Sequence, residues 1–414
     1  MKRIFFPKIS RASMPSFFFC RSISRGRFIM DDLKNPSIRE EDALLRESML
    51  RFGRMELMGE TAVQDRNGTF ARENWEKCSA IGLMGLLLPK EYGGSGFDLM
   101  SGLIGLEALS YSSRDNGIVH AMIPQMCCGI QLLLFGSEEM KEEFLPDIAQ
   151  GRKICAQAIT EPDAGSDVGA IKTRYERSVS TYMISGSKTF VSNAPIADVV
   201  VVYAGSGSHE KAARGISCFL IENGTPGMWR GKPLEKMGLR TLQNGELVFE
   251  GCKIPLSRIV GKEKQGFFML NETMEWERLL MGALHLGVMQ RVLEKTVLYA
   301  KQRSQFGNPI GKYQSVSHRI ADMKISVELG RAILHKAGRL KMALKRAPLE
   351  ASIAKVHLSE SLKRICLDAV QIHGAYGYSC EFELERELRD SIAATVYSGT
   401  SEIQRNIISR FLGL

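Results

Sequence analysis

Apolar residues recur every three to four positions over 38–58 (Ile38, Leu44, Leu45, Met49, Leu50), and the same period returns over 98–111 and 138–149. This is the mark of helices with one buried face. A glycine-rich stretch, Pro89-Lys90-Glu91-Tyr92-Gly93-Gly94-Ser95-Gly96, interrupts the pattern. From about residue 152 the period shortens. Thr181–Ile184 and Lys188–Val191 flank Ser185-Gly186-Ser187, which reads as a β-hairpin. Val199–Tyr203 is a valine run suited to a strand buried on both faces, and Ile216–Ile221 and Glu246–Phe249 add two more strands. After Gly266 the helical period resumes, predicting helices over 267–301, 313–344, 349–373, 381–395 and 400–411. The expected fold is mainly α with a central β domain: a helical domain over 31–151, a β-barrel or sandwich over 152–258, and a helical bundle over 259–414.

The chain has 414 residues, 44% hydrophobic and 24% charged, which excludes disordered, collagen-like and small disulfide-rich classes. No stretch of apolar residues stands out as a membrane span, so none is expected. The net charge is +9, but residues 1–30 hold seven bases and no acid, leaving only +2 for the rest. A nearly neutral body gives no argument for nucleic acid. The basic head is rich in Ser and Phe; it fits an organelle transit peptide or a stretch upstream of a start at Met30. A cytoplasmic location is expected, or the mitochondrial matrix if the head is a transit peptide. Nine scattered cysteines, without C-x-x-C or H-x-x-x-H spacing, suggest reduced, buried thiols and no metal site.

Chemistry concentrates in five places. Leu270, Met274, Glu277, Met281, Leu284 and Val288 share one helix face, and Glu277 is the single carboxylate on it. Desolvation should raise its pKa, as a general base requires; a rim glutamate or one paired with an arginine is the plainer alternative. Thr160-Glu161-Pro162-Asp163-Ala164-Gly165-Ser166-Asp167 offers small residues and hydroxyls to a flat or phosphorylated ligand, or forms a linking turn. Arg303-Ser304-Gln305-Phe306-Gly307 offers an arginine for a pyrophosphate, or a helix cap ending at Gly307. Gln371-Ile372-His373-Gly374-Ala375-Tyr376-Gly377-Tyr378 sets two glycines after a long helix, with His373 readable as an interior histidine. In Tyr397-Ser398-Gly399-Thr400-Ser401-Glu402 either Thr400 or Ser401 suits an N-cap. No phosphate-loop, serine-hydrolase or complete dinucleotide fingerprint is present.

Taken in order, these stretches, with Leu388-Arg389-Asp390, resemble the acyl-CoA dehydrogenase flavoprotein family over residues 35–414. The nearer likeness is to its isovaleryl-CoA dehydrogenase and prolyl- or acyl-carrier-protein branch, on Ser192-Asn193-Ala194-Pro195-Ile196-Ala197-Asp198, Met274-Glu275-Trp276-Glu277-Arg278, Gln314-Ser315-Val316-Ser317 and Leu412-Gly413-Leu414. The resemblance implies noncovalent FAD and α,β-dehydrogenation of an acyl or aminoacyl thioester on CoA or a carrier protein. It also implies a dimer or tetramer and an electron acceptor, either a flavoprotein or oxygen. Many members carry the base just before the Gly-Thr of the last motif; here that residue is Ser398, and Glu277 matches the alternative position on the first bundle helix. Glu277 would then take the α-proton and flavin N5 the hydride.

By motif, Gln157, Ala158, Ile159, Thr160, Gly165, Ser166, Phe190, Val191 and Ser192 would line the flavin. Arg303, Phe306, Gln314, Gln371, Gly374, Ala375, Thr400 and Glu402 would complete the FAD site, several across a subunit boundary. Ser166, Arg278, Ser398 and Gly399 would meet the substrate, Ser398 through its backbone N–H. Ala375 stands where the family usually has glycine. A flavin oxidase or monooxygenase of the same family, and a catalytically idle nucleic-acid-associated relative, are the alternative readings.

Overall fold

A computed structural model of the protein describes residues 39–57, 59–207 and 215–414; the basic head lies outside these described residues. Six α-helices come first: α1 Glu40–Glu56, α2 Thr61–Asn67, α3 Arg72–Ala80, α4 Leu99–Ser112, α5 Asn116–Phe135 and α6 Glu138–Ala149. The later ones are capped by side chains. Asp98, Asp115 and Ser137 each accept from a backbone N–H in the first turn of α4, α5 and α6, satisfying donors that the helix leaves open.

Among the described residues α5 is the one helix long and apolar enough to cross a membrane, against the expectation of none. It is a core helix, with 83% of its apolar window buried. Its polar side chains are bonded inside the protein: Gln125 Nε2 donates to the carbonyls of Ile148 (2.9 Å) and Lys153 (2.8 Å), and its Oε1 accepts from Cys155 N–H.

The β domain contains β1 Cys155–Ala158, β2 Arg174–Arg177, β3 Thr181–Ser192, β4 Val199–Gly205, β5 Ile216–Glu222, β6 Met228–Arg230, β7 Asn244–Pro255 and β8 Ile259–Val260. They form one sheet in the order β6-β7-β3-β2-β4-β5-β8, with β1 parallel to β4. The valine run of β4 is buried on both faces. Val199, Val201 and Tyr203 pack with Phe144, Met269 and Leu270 from the helices, while Val200, Val202 and Ala204 pack with Tyr175, Tyr182 and Phe249 of the sheet.

The expected hairpin at Ser185-Gly186-Ser187 is corrected. Thr181–Ser192 is a single strand pairing along β7, with a register shift between Ile184 and Gly186. Gly186 sits at φ 145, where a Cβ would come within 2.6 Å of Thr173 Cα. The glycine therefore serves a bulge and a close strand contact rather than a turn.

The C-terminal region is built from α7 Gly266–Gln302, α8 Gln314–Leu344, α9 Pro348–His373, the short α10 Ala375–Tyr378, α11 Leu384–Ala393 and α12 Ser401–Phe411. A small ladder of β9 Ser304–Gln305 and β10 Asn308–Pro309 joins α7 to α8. Its turn places Phe306 and Gly307 at φ 50 and 81, so Gly307 makes a hairpin rather than the expected helix cap. The Leu-Arg-Asp motif is a joint between regions. Asp390 Oδ1 accepts from Leu239 N–H, Asn116 Nδ2 donates to Asp390 (3.0 Å) and Glu387 (2.8 Å), and Arg389 bridges Asp65 and Glu385. Gly238 is pressed against this joint, where a Cβ would lie 2.3 Å from Arg389 O.

Candidate active site

Glu277 lies a third of the way along α7, on the stripe expected of it, with Leu270, Met281, Leu284 and Val288 buried. The chain returns to it 121 residues later: Ser398 Oγ donates to Glu277 Oε1 at 2.5 Å. Two successive left-handed residues, Ser398 (φ 56) and Gly399 (φ 84), make that return. For a serine this backbone costs about 1–2 kcal/mol, so its surroundings must impose it. They do: Gln404 Nε2 donates to the carbonyls of Ser398 (3.1 Å) and Gly399 (3.0 Å), and Arg278 Nε to Ser398 O (3.3 Å). A side chain at Gly399 would strike Gln404 at 2.6 Å. Thr400 caps α12 by accepting from Ile403 N–H (3.3 Å), and Glu402 is exposed in its first turn.

Burial pushes the Glu277 carboxyl above the ordinary range, against the downward pull of Ser398, Arg278 and Lys355. Tyr397, one residue before Ser398, shares a 2.7 Å hydrogen bond with His285 Nε2 and meets the ring of His120 edge-on. Burial holds both histidines down at about 3, so both are neutral. Neither His120, His285 nor Lys355 was anticipated from sequence. Lys355 had a signal: with Ala351, Leu358, Leu362, Ile365 and Ala369 it shares one apolar helix stripe.

The second cluster lies at the end of β1 and along β3. Gln157 Nε2 donates to Gln131 Oε1 (2.9 Å), and Thr189 N–H to Thr160 O (2.9 Å), which sets 157–160 beside 189–192. Ala158 and Val191 are buried under this surface; Ile159, Thr160 and Ser192 are half-buried, and Gly165 and Ser166 are exposed. The loop between them is anchored by Glu161, which accepts from Lys172 N–H, Thr173 N–H and Lys188 Nζ (2.8 Å). Phe190 is 68% exposed at φ 54, and a Cβ on Gly165 would meet nothing within 4 Å. An exposed aromatic, hydroxyls, an amide and backbone open to close approach fit a flat heterocycle such as flavin.

A third cluster is at the far end of α7. Arg303 follows its last turn, with Phe306 93% exposed on the β9–β10 turn and Gln314 opening α8. Gln371, Gly374 (φ 60) and Ala375 lie beside it at the end of α9, where His373 stacks on Tyr299 at 4.1 Å and bonds Ala369 O. From Glu277 to Arg303 is 26 residues, about 39 Å of helix. One chain thus joins Glu277, Arg278, Ser398, Gly399, Thr400 and Glu402 at one end and Arg303, Phe306, Gln314, Gln371, Gly374 and Ala375 at the other.

The chain matches three acyl-CoA dehydrogenase domain families in succession: the N-terminal domain over residues 39–152, the middle domain over 156–252 and the C-terminal domain over 264–413. It belongs to the acyl-CoA dehydrogenase family. An L-prolyl-[peptidyl-carrier protein] dehydrogenase of Pseudomonas fluorescens is 39% identical over 83% of this chain and 91% of its own. The crystal structure of the prolyl acyl carrier protein oxidase AnaB superposes with a TM-score of 0.89 at 39% identity, covering 91% of this chain and 100% of that one. A structure of PigA with FAD and proline gives a TM-score of 0.89 at 35% identity, covering 91% and 98%. The protein is an FAD-dependent oxidoreductase that dehydrogenates acyl or aminoacyl thioesters.

Proposed function

We propose that Glu277 is the base that takes the α-proton of the thioester, and that the substrate is a prolyl group on the pantetheine arm of a carrier protein. The contact between Ser398 and Glu277 carries the first part. It fixes a half-buried carboxylate beside the loop that, by motif, receives the thioester. A carboxylate drawn out of water is a stronger base than one in solvent, which an α-proton beside a thioester demands. The likeness to three proteins described with proline or a prolyl carrier supports the second part.

FAD, when bound, supplies the two-electron acceptor for the hydride that leaves the β-carbon. The protein's own residues do the rest. Glu277 takes the proton on a carboxylate oxygen, and Ser398 Oγ holds that oxygen in line. Arg278 and Gln404 grip the Ser398 carbonyl, which sets the direction of its peptide. The Ser398 N–H donates to the thioester oxygen as negative charge develops there; one such donor contributes roughly 3 kcal/mol. Gln157, Thr160, Ser166, Phe190 and Ser192 hold the cofactor from the β-domain side. The distant cluster around Arg303 and Gln371 serves the cofactor of a second copy of the chain, which makes the active form at least a dimer.

Anaerobic mixing of purified enzyme with prolyl-carrier, acyl-carrier and CoA thioesters tests this reading. Flavin absorbance should bleach fastest with the prolyl carrier thioester; bleaching confined to CoA thioesters would overturn the substrate assignment. Stopped-flow mixing of the reduced enzyme with oxygen then identifies the acceptor: rapid reoxidation assigns oxygen, slow reoxidation a partner flavoprotein.

A further inference from the structure

Lys355 is one of the largest fully buried side chains, 1% exposed, and among the described residues its Nζ meets no hydrogen-bond acceptor. A buried ammonium without a partner destabilises the fold relative to a hydrophobic side chain of similar size. The groups it faces come from three helices: Glu277, Arg278 and His285 of α7, Glu402 of α12, and Glu360 of its own α9. Most are committed elsewhere. Glu360 holds Arg405 through two bonds of 2.7 and 2.8 Å, Arg278 holds the Ser398 carbonyl, and Glu402 is itself exposed in the first turn of its helix. His285 is neutral. Glu277 is therefore the negative group drawn out of solvent in this set, and among the described residues its side-chain hydrogen bond comes from an uncharged hydroxyl.

We propose that Lys355 is a positioning residue for the reaction: a buried ammonium behind the base that keeps the Glu277 carboxylate charged and in place before substrate arrives. The inference rests on the reading of Glu277 as the base. Ser398 and Arg278 pull Glu277 down more strongly than Lys355 does, but each carries a constraint that Lys355 lacks. Ser398 supplies one donor without charge, and Arg278 divides its charge between Glu277 and the Ser398 carbonyl. Lys355 supplies charge without bonding the carboxylate, so Glu277 stays free to accept a proton from carbon. Burial lowers Lys355 to about 8, so the ammonium persists throughout the acid range in which Glu277 titrates. Its absence would let Glu277 take up a proton at higher pH.

The test compares the holoenzyme with Lys355→Met, Lys355→Gln and Lys355→Arg. Infrared difference spectra across pH follow the protonated carboxyl band of Glu277, assigned by its loss in Glu277→Gln, and need no substrate. The acid limb of flavin bleaching by prolyl carrier thioester is measured alongside. In Lys355→Met both midpoints should rise by about one pH unit, a tenfold loss of rate on the acid side that fades at high pH. Lys355→Arg should restore both. Thermal stability should hold or increase in Lys355→Met, since an unpaired buried charge has gone; a merely structural lysine would lower stability and leave the midpoints in place. If Lys355→Met does not fold, Lys355→Gln provides the same comparison. An unchanged Glu277 midpoint in a folded variant overturns the proposal. Absence of bleaching in the parent enzyme overturns the assigned function instead, while the infrared midpoint still decides the role of Lys355.

Discussion

Two carboxylates drawn out of solvent in this protein, one buried and one half-buried, meet opposite fates. Glu161, in the loop over the β domain, and Glu277, on α7, are both pushed upward by burial. Glu161 nevertheless ends below the ordinary carboxylate range, because Lys188 bonds it directly and two backbone N–H groups add to the charge. Glu277 ends above that range, because its one side-chain donor is the Ser398 hydroxyl and its positive neighbours act at a distance. The two lysines divide in the same way. Lys188 is spent on Glu161 and the Ile159 carbonyl, whereas Lys355 finds no hydrogen-bond partner among the described residues. A saturated buried ion pair is a fixture; an under-bonded one is a reagent. Both kinds hold charge in the interior, and the number of donors on the carboxylate separates them.

The largest effect should come from breaking the reactive half. Glu277→Gln keeps size and burial but cannot accept the proton, so bleaching by thioester should slow by about 10²–10⁴-fold. The flavin spectrum and melting temperature should stay close to the parent. A variant that still turns over at parental speed would remove Glu277 from the mechanism.

Breaking the fixed half should act on stability instead. Lys188→Met leaves Glu161 buried and charged without its partner, a loss of about 3–5 kcal/mol. The loop that Glu161 anchors holds Gly165 and Ser166, so flavin retention on a desalting column should fall along with the melting temperature. Lys188→Met paired with Glu161→Gln should recover part of the stability, since no lone charge then remains. Equal damage in the single and double variants would show that the ion pair is not what holds the loop.

Much of this contrast can be read in the chain before folding, for one physical reason. Period and burial are local properties, and a charge on an apolar stripe is visible at once. Glu277 announces itself that way, as do the long helices and the doubly buried valines of β4. Lys355 sits on an equally plain stripe, with Ala351 and Leu358, and is legible by the same logic. Partners are a different matter. That Glu161 finds Lys188 while Lys355 finds no acceptor depends on β3 running through Gly186 instead of turning there, and on α12 returning Ser398 to α7. Those contacts span 27 and 121 residues and are set by packing between elements. The Ser185-Gly186-Ser187 pattern is ambiguous for the same reason: only the nearness of Thr173 makes it a bulge.

Ser398→Ala sharpens the comparison by removing one uncharged donor from the reactive carboxylate. Ser398 lowers Glu277 against the upward push of burial, so its loss should raise the Glu277 midpoint further. The base then works only at higher pH: the rate of bleaching should fall about tenfold below the new midpoint and approach the parental rate well above it. A uniform loss at every pH would mean that Ser398 orients the substrate rather than tunes the base.

Asp390 tests whether bond count also rules a carboxylate with no part in the reaction. It accepts from Leu239 N–H and Asn116 Nδ2, fewer donors than Glu161 has, and Glu387 adds negative charge beside it. Burial, with Glu387, pushes it up to about 7. A folded-state value above the ordinary 3.8 means that the native protein holds this proton more tightly than the unfolded chain. Its contribution to stability is therefore complete in acid and is lost as pH rises toward 7. Asp390→Asn keeps an oxygen for Leu239 but turns an amide toward Asn116, so the variant should melt a few degrees below the parent at pH 5. It cannot ionise, and the deficit should shrink or reverse by pH 8. Melting temperatures of both proteins across that range check the point. A deficit that stays constant would show that the Asn116 and Leu239 bonds, rather than the proton, govern Asp390, and the rule drawn from Glu161 and Glu277 would not extend to the joint between the helices and the sheet.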